Sequence, residues 1–264
     1  MFGLLVFWAT QAKSRATFAI IIETPNIDRI AKKGMLFTNA CVTNSICAPS
    51  RATILTGKHS HKNGKVDNVS AFDTTNVTFP QLLQKAGYQT AMFGKLHFGN
   101  NPKGFDEFQI LPDQGNYYNP DVITKKEGKK RIMGYVTDII TDLTLNWLKN
   151  DRDDDKPFFL AYLHKAPHRE WLAAERHFKE YLKKTFPEPT TLFDNYEGRG
   201  RASKEAEMNI LTHMNWAGDS KVFPENMKKL GIKESHPYDI QFYNNTLGRM
   251  NPNSGKHGMT PTEK

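Results

Sequence analysis

"YVTDIITDLTLNWLKNDRDDDKPFFLAYLH", Tyr135 to His164, sets a helical period directly against a continuous apolar run. Val136, Ile139, Ile140, Leu143, Trp147 and Leu148 recur at the spacing of one helix face, which predicts an amphipathic helix. In "KPFFLAYLH" the apolar residues are nearly consecutive, as in a parallel strand covered on both faces. Upstream the same order repeats. "TPNIDRIAKKG" reads as a helix with Thr24 as its cap, Pro25 in the first turn and Gly34 as its stop, and "MLFTNACVT" follows with strand character. "TFPQLLQKAGY" reads as the next helix and "QTAMFGK" as a short buried strand. Helices alternating with strands of this length predict an α/β layer fold with a largely parallel sheet.

A chain of 264 residues with 38% hydrophobic and 11% aromatic residues holds a globular core rather than a disordered chain. Its net charge of +8 favours an anionic partner. The excess is spread over lysines such as Lys125, Lys126, Lys129, Lys130, Lys183 and Lys184, interleaved with acidic residues. No Arg/aromatic module of a nucleic-acid binder accompanies them, so no nucleic-acid partner is expected. Cys41 and Cys47 could form at most one tight bridge, which excludes a disulfide scaffold. "MFGLLVFWAT" is too short to span a bilayer and lacks a basic start, so neither a membrane anchor nor a clear signal peptide is expected. From about Phe186 onward the texture changes and then passes into a Gly-, Pro-, Asn- and Lys-rich tail, with no convincing strand in about the last forty residues.

The chemistry concentrates at "CVTNSICAPSRATILTG", Cys41 to Gly57. Pro49 suits the first position of a helix ended by Gly57, which sets Cys47 at the positive end of that helix. Arg51, one turn on, adds a forked cation suited to a tetrahedral oxyanion. On the residues alone this is either an anion cradle or a buried structural cysteine before an ordinary helix. Too few residues separate Cys47 from Arg51 for a tyrosine-phosphatase loop. In "FGKLHFG", Lys95 and His97 are two apart at a strand end and leave one face, either as a ligand pair or as a solvated end. "FLAYLHKAPHREW" carries a strand into a loop bearing His164 and His168, where α/β sheets bind ligands. His164 reads as structural, and His59 and His61 as surface or secondary residues.

Cys47-Ala48-Pro49-Ser50-Arg51, followed by Ala52-Thr53 and Leu55-Thr56-Gly57, resembles the signature of the type I sulfatases. The Gly-Lys-x-His at Lys95 and His97 and the Pro-His at His168 agree with it, and the resemblance runs from about Glu23 to Ile210. It implies a three-layer, alkaline-phosphatase-like sandwich, incomplete here at both ends. The implied order is an atypical N-terminus over 1–22 in place of the first strand, a core over 23–185 and a decorating region over 186–264. It also implies that Cys47 is oxidised to formylglycine by a formylglycine-generating enzyme, and that position 47 contacts a Ca²⁺ ion. Arg51, Lys95, His97 and His168 would be the other catalytic residues. A sulfated glycan is the implied substrate, especially one carrying N-acetylglucosamine 6-sulfate, in a secreted, periplasmic or lysosomal setting. No acidic residue precedes Glu23, where the family carries paired aspartates for the metal. The alternatives are therefore an impaired fragment lacking most metal ligands, or a phosphonate monoester or phosphodiester hydrolase of the same superfamily.

Overall fold

The computed structural model describes the backbone of Leu4–Val6, residues 23–37 and 39–208, and His213, Asp219 and Lys229. Of the segment 1–22 only Leu4–Val6 falls within the described residues, and most of 209–264 lies outside them. The chain divides into two units, the first comprising Leu4–Val6 and residues 39–168. Residues 23–37 and the described residues from Arg169 to Lys229 belong to the second.

The first unit is built on a six-stranded sheet in the order β1-β6-β2-β3-β4-β5. Its strands are β1 (Leu4–Val6), β2 (Gln89–Lys95), β3 (Glu107–Leu111), β4 (Asp121–Thr124), β5 (Gly128–Arg131) and β6 (Phe158–Leu163). β1, β6, β2 and β3 run parallel. β4 and β5 add an antiparallel arm, so the sheet is mixed. The helices of this unit are α2 (Cys47–Thr56), α3 (Ser60–Asn63), α4 (Phe79–Lys85) and α5 (Val136–Asn146).

The continuous apolar runs at β2 and β6 are explained by cover on both faces. On one face Met92, Phe159 and Ala161 join Ala48, Ala52 and Leu55 of α2 in a single buried cluster, with Phe79 and Leu83 of α4 packed against it. On the other, Phe93 and Phe158 meet Trp147 just beyond α5 at ring-centre distances of 6.2 and 5.8 Å, and Thr141 of α5 bonds the Tyr162 hydroxyl. Helix, sheet and helix form three layers, and each large side chain buried there contributes roughly 1.5–3 kcal/mol.

The expected elements from "TFPQLLQKAGY" onward form with small changes at their ends. "QTAMFGK" is β2 throughout. α5 ends at Asn146 and passes into a π-helical turn over Trp147–Asp151. α4 begins after Thr78, whose N–H donates to the Gln81 side chain at 2.8 Å, a capping interaction that fixes its entry. In the second unit α1 (Pro25–Lys33) follows Thr24 as expected.

Three expectations fail for physical reasons. Residues 35–43 form no strand where they are described, and Met35, Leu36, Phe37 and Val42 stay exposed. β-branched and aromatic composition forms a strand only where a neighbour supplies the ladder. Pro49 is the third residue of α2 rather than the first, because the helix begins at Cys47. The first hydrogen bond of that helix is Ser50 N–H to Ile46 O, so a proline at the third position removes no bond. Finally, β2 stops at Lys95, and His97 lies past it with φ +64°. A turn of the backbone, not the strand pleat, sets the direction of His97.

Candidate active site

α2 brings Cys47 to the sheet. Ala48 and Ala52 have no exposed surface, so the helix sits close against β2 and β6, and Gly57 closes it in the left-handed conformation with its N–H on Thr53 O. Cys47 is the first helical residue and is partly exposed.

The loop after α3 supplies a contact that the sequence did not announce. Asp67 accepts the N–H groups of Val69 and Ser70 at 2.9 and 2.8 Å, and those bonds hold its carboxyl below the usual range. Lys65, almost fully buried, donates its ammonium to the Ser70 carbonyl. The loop so fixed presents Asn68, whose Nδ2 lies 3.3 Å from Cys47 Sγ while its Oδ1 accepts the Ala48 N–H at 3.0 Å. One of the free N–H groups expected at the helix start is therefore already engaged.

Arg51 reaches from α2 to the end of β2 and donates to the Lys95 carbonyl at 2.5 Å. Lys95 is only 1% exposed, and its ammonium donates to Gln114 Oε1. Burial pulls its pKa down to about 8, with Arg51 and Lys165 pushing the same way and Cys47 opposing. Gln114 Nε2 lies 3.3 Å from His97 Nε2. The His168 loop is tied by its N–H to Lys165 O at 2.9 Å and by the Tyr117 hydroxyl to His168 O at 2.6 Å, across a cis Ala166–Pro167 bond. Lys165 is buried with its ammonium 4.7 Å from the centre of the Tyr117 ring.

The other four residues expected at the site each act on Cys47 or are acted on by it. The Cys47 thiol is pulled from an ordinary 9.0 to about 4, first by His168, then by His97 and the charge of Lys95, against a burial that works the other way. Cys47 in turn supports the charge of Arg51, which burial lowers. His164 faces Tyr162 at a ring-centre distance of 4.3 Å and is held below its ordinary pKa by burial. His59 and His61 stack on each other at 5.8 Å, in and beside α3. Sequence reasoning missed Asn68, Gln114, Lys165 and Tyr117. Gln114 follows β3, so it obeys the rule that ligands gather at the C-terminal ends of parallel strands. Lys165 stands between the two histidines already noted. Asn68 carries no sequence signal beyond an Asp/Asn/Ser turn.

With the cysteine unoxidised, Cys47 should react as a thiolate. Alkylation by iodoacetamide, followed by mass spectrometry of the Cys47 peptide, is expected to proceed at a constant rate from about pH 9 down to about pH 5. It should fall about tenfold per unit once the pH passes below the thiol's value near 4. A rate that keeps rising up to about pH 8.5, as for a free thiol, would contradict the arrangement.

Among the described residues, the groups around Cys47 do not fit a calcium ion. Calcium takes several oxygen ligands with carboxylates among them, whereas the side chains acting on Cys47 are His168, His97, Lys95 and Asn68. Among the described residues no cluster of His, Cys, Asp or Glu is placed to hold a metal. Asp219, in the second unit, is clasped by Arg169 through both carboxylate oxygens, at 3.2 and 2.5 Å. Position 47, expected to contact the metal, thus has cations, imidazoles and one amide for its described neighbours. No described helix is long and apolar enough to cross a membrane.

Comparison with known proteins shows the family and the fold. The chain is 52% identical over 194 residues to an N-acetylglucosamine-6-O-sulfatase of Bacteroides thetaiotaomicron, covering 72% of this chain and 34% of that protein. It is 30% identical over 176 residues to the human N-acetylglucosamine-6-sulfatase, covering 58% of this chain and 32% of that protein. A solved sulfatase in complex with its substrate D-glucosamine-2-N,6-O-disulfate superposes with a TM-score of 0.72 at 44% identity, covering 87% of this chain and 48% of its own. The chain thus spans about a third of the length of those curated relatives. Its layers are those of the alkaline-phosphatase-like fold. A family model described as Sulfatase matches residues 7–251, and on that match the chain belongs to the sulfatase family.

Proposed function

We propose that the chain carries the nucleophile half of a sulfuric ester hydrolase that removes sulfate from a sulfated glycan, with N-acetylglucosamine 6-sulfate as the favoured unit. The observation that supports it most is the convergence of Cys47, Arg51, Lys95, His97 and His168 on one half-buried point. The amino-sugar preference draws on the two N-acetylglucosamine sulfatases above and on the glucosamine disulfate bound in the solved relative.

Oxidised to formylglycine by a formylglycine-generating enzyme, position 47 would supply a hydrated aldehyde as nucleophile toward sulfur. Arg51 and Lys95 hold the negative charge that gathers on the sulfate oxygens, and their burial strengthens that hold. His168 donates the proton that the departing alcohol oxygen needs. His97 manages the proton at position 47, and Asn68 keeps that position in place. Because the described residues do not fit calcium, no step is assigned to a metal. A secreted, periplasmic or lysosomal setting suits a glycan substrate.

The test is mass spectrometry of the Cys47 peptide to establish the aldehyde, followed by sulfate release from N-acetylglucosamine 6-sulfate with and without added calcium. Release from the sulfated sugar, with phenyl phosphonate left intact, is expected. An oxidised chain that releases no sulfate under either condition would overturn the proposal, and cleavage of the phosphonate in preference would move it to the neighbouring reaction class.

A further inference from the structure

Gln114 connects two site residues that are not otherwise bonded to each other. Its Oε1 accepts from the Lys95 ammonium and its Nε2 lies 3.3 Å from His97 Nε2. An ammonium only donates, so the amide oxygen must be the end that faces Lys95, and this fixes which way round the amide sits. The end facing His97 is then the NH₂ group, also a donor. His97 Nε2 must accept and so carries no proton. In a neutral imidazole the proton is left on Nδ1, which is buried and makes no hydrogen bond of its own in this structure.

We propose that Gln114 is a positioning residue that holds His97 in the Nδ1–H tautomer, using the charge of Lys95 to orient its own amide. The backbone at His97 lies in the left-handed region, with φ +64°. The consequence is that the lone pair at His97 Nε2 rests under the Gln114 amide, which leaves Nδ1–H as the end of the ring free to act on the anion at position 47. Lys95 thus acts on His97 through a neutral side chain, in addition to its direct effect on an anion.

The readout that does not depend on turnover is nitrogen NMR of the full chain labelled with [15N]histidine, with the His97 signals identified by their loss in His97→Gln. In the unmutated chain Nε2 of His97 should give an unprotonated signal and Nδ1 a protonated one. Gln114→Glu keeps an acceptor for Lys95 but offers His97 a second acceptor, so Nε2 should become protonated. Gln114→Leu removes the constraint, and the Nδ1–H form should lose its dominance. Thermal unfolding within about 3 °C of the unmutated chain would show that each variant folds. A protonated Nε2 in the unmutated chain, or a Gln114→Glu spectrum unchanged from it, would overturn the proposal.

A kinetic arm rests on the hydrolase proposal above. Both variants should lower kcat by roughly tenfold to a hundredfold with KM nearly unchanged. Were Gln114 only filling space, the near-isosteric Gln114→Glu would retain full kcat. If no chain releases sulfate while the spectra behave as stated, the hydrolase proposal fails and the tautomer assignment stands.

Discussion

On the proposed hydrolase function, Cys47→Ala is expected to abolish sulfate release, by about 10⁴-fold or more, while leaving the fold and the anion cradle in place. The size follows from what is removed. Without a nucleophile the remaining groups can only bind and polarise the ester, and residual catalysis from charge stabilisation is small beside a covalent route. The fold should survive because Cys47 is the first residue of α2, is partly exposed and lies outside the buried core cluster, so the contacts it gives up, from Asn68 at 3.3 Å and from His168 and His97, belong to the site. Alanine is also the best helix former. Arg51 and Lys95 keep their bond to each other, which does not involve the sulfur. Inorganic sulfate should therefore still protect the variant against thermal unfolding. Activity within tenfold of the unmutated chain would show that position 47 is not the nucleophile.

The largest effect on stability is expected from Gly94→Ala. Gly94 is paired with Leu163 in the β2–β6 ladder and has φ +105°, where a side chain is strained. A Cβ there would lie 1.8 Å from the Leu163 carbonyl oxygen, a backbone atom that cannot swing away. Either the central pairing of the sheet opens or the strand end shifts, and Lys95 is the next residue. A loss of about 4–5 kcal/mol or more is expected, a large share of the roughly 5–15 kcal/mol that holds a domain together. Thermal unfolding by circular dichroism should fall by about 10 °C or more, or the chain should fail to accumulate in soluble form. Gly57→Ala gives the comparison: φ is +65° but nothing lies within 4 Å, so only strain is added. It should cost about 1 kcal/mol, a few degrees. Equal losses in the two variants would show that close approach at β6 is not the cause.

The sequence signalled these layers unevenly. β2, β6 and α5 were legible because their faces are buried, and burial writes a period into the residues. β4 and β5 were not. β5, "GKKR", is wholly exposed and exists because it pairs with β4, so no apolar pattern marks it. The converse holds for residues 35–43, which carry strand composition without a strand. At the site, the five residues with strong local context were visible: a cysteine and arginine at a helix start, and a lysine and histidines at strand ends. Asn68 and Gln114 were not, because an amide in a turn looks like any other amide until the fold sets it against a thiol, an ammonium or an imidazole. Their contribution is orientation, which depends on neighbours distant in sequence, such as Gln114 and Lys95, 19 residues apart.

The close seating of α2 carries an evolutionary consequence. Ala48 and Ala52 are fully buried where the helix meets the sheet, and the same helix carries Cys47 at its first position and Arg51 between them. Core and site are thus one rigid part. A larger side chain at Ala52 would lift the helix and move the reactive atom with it, so selection on chemistry also polices packing. Repacking that an ordinary core would absorb should be visible here as misalignment of position 47 well before the chain unfolds.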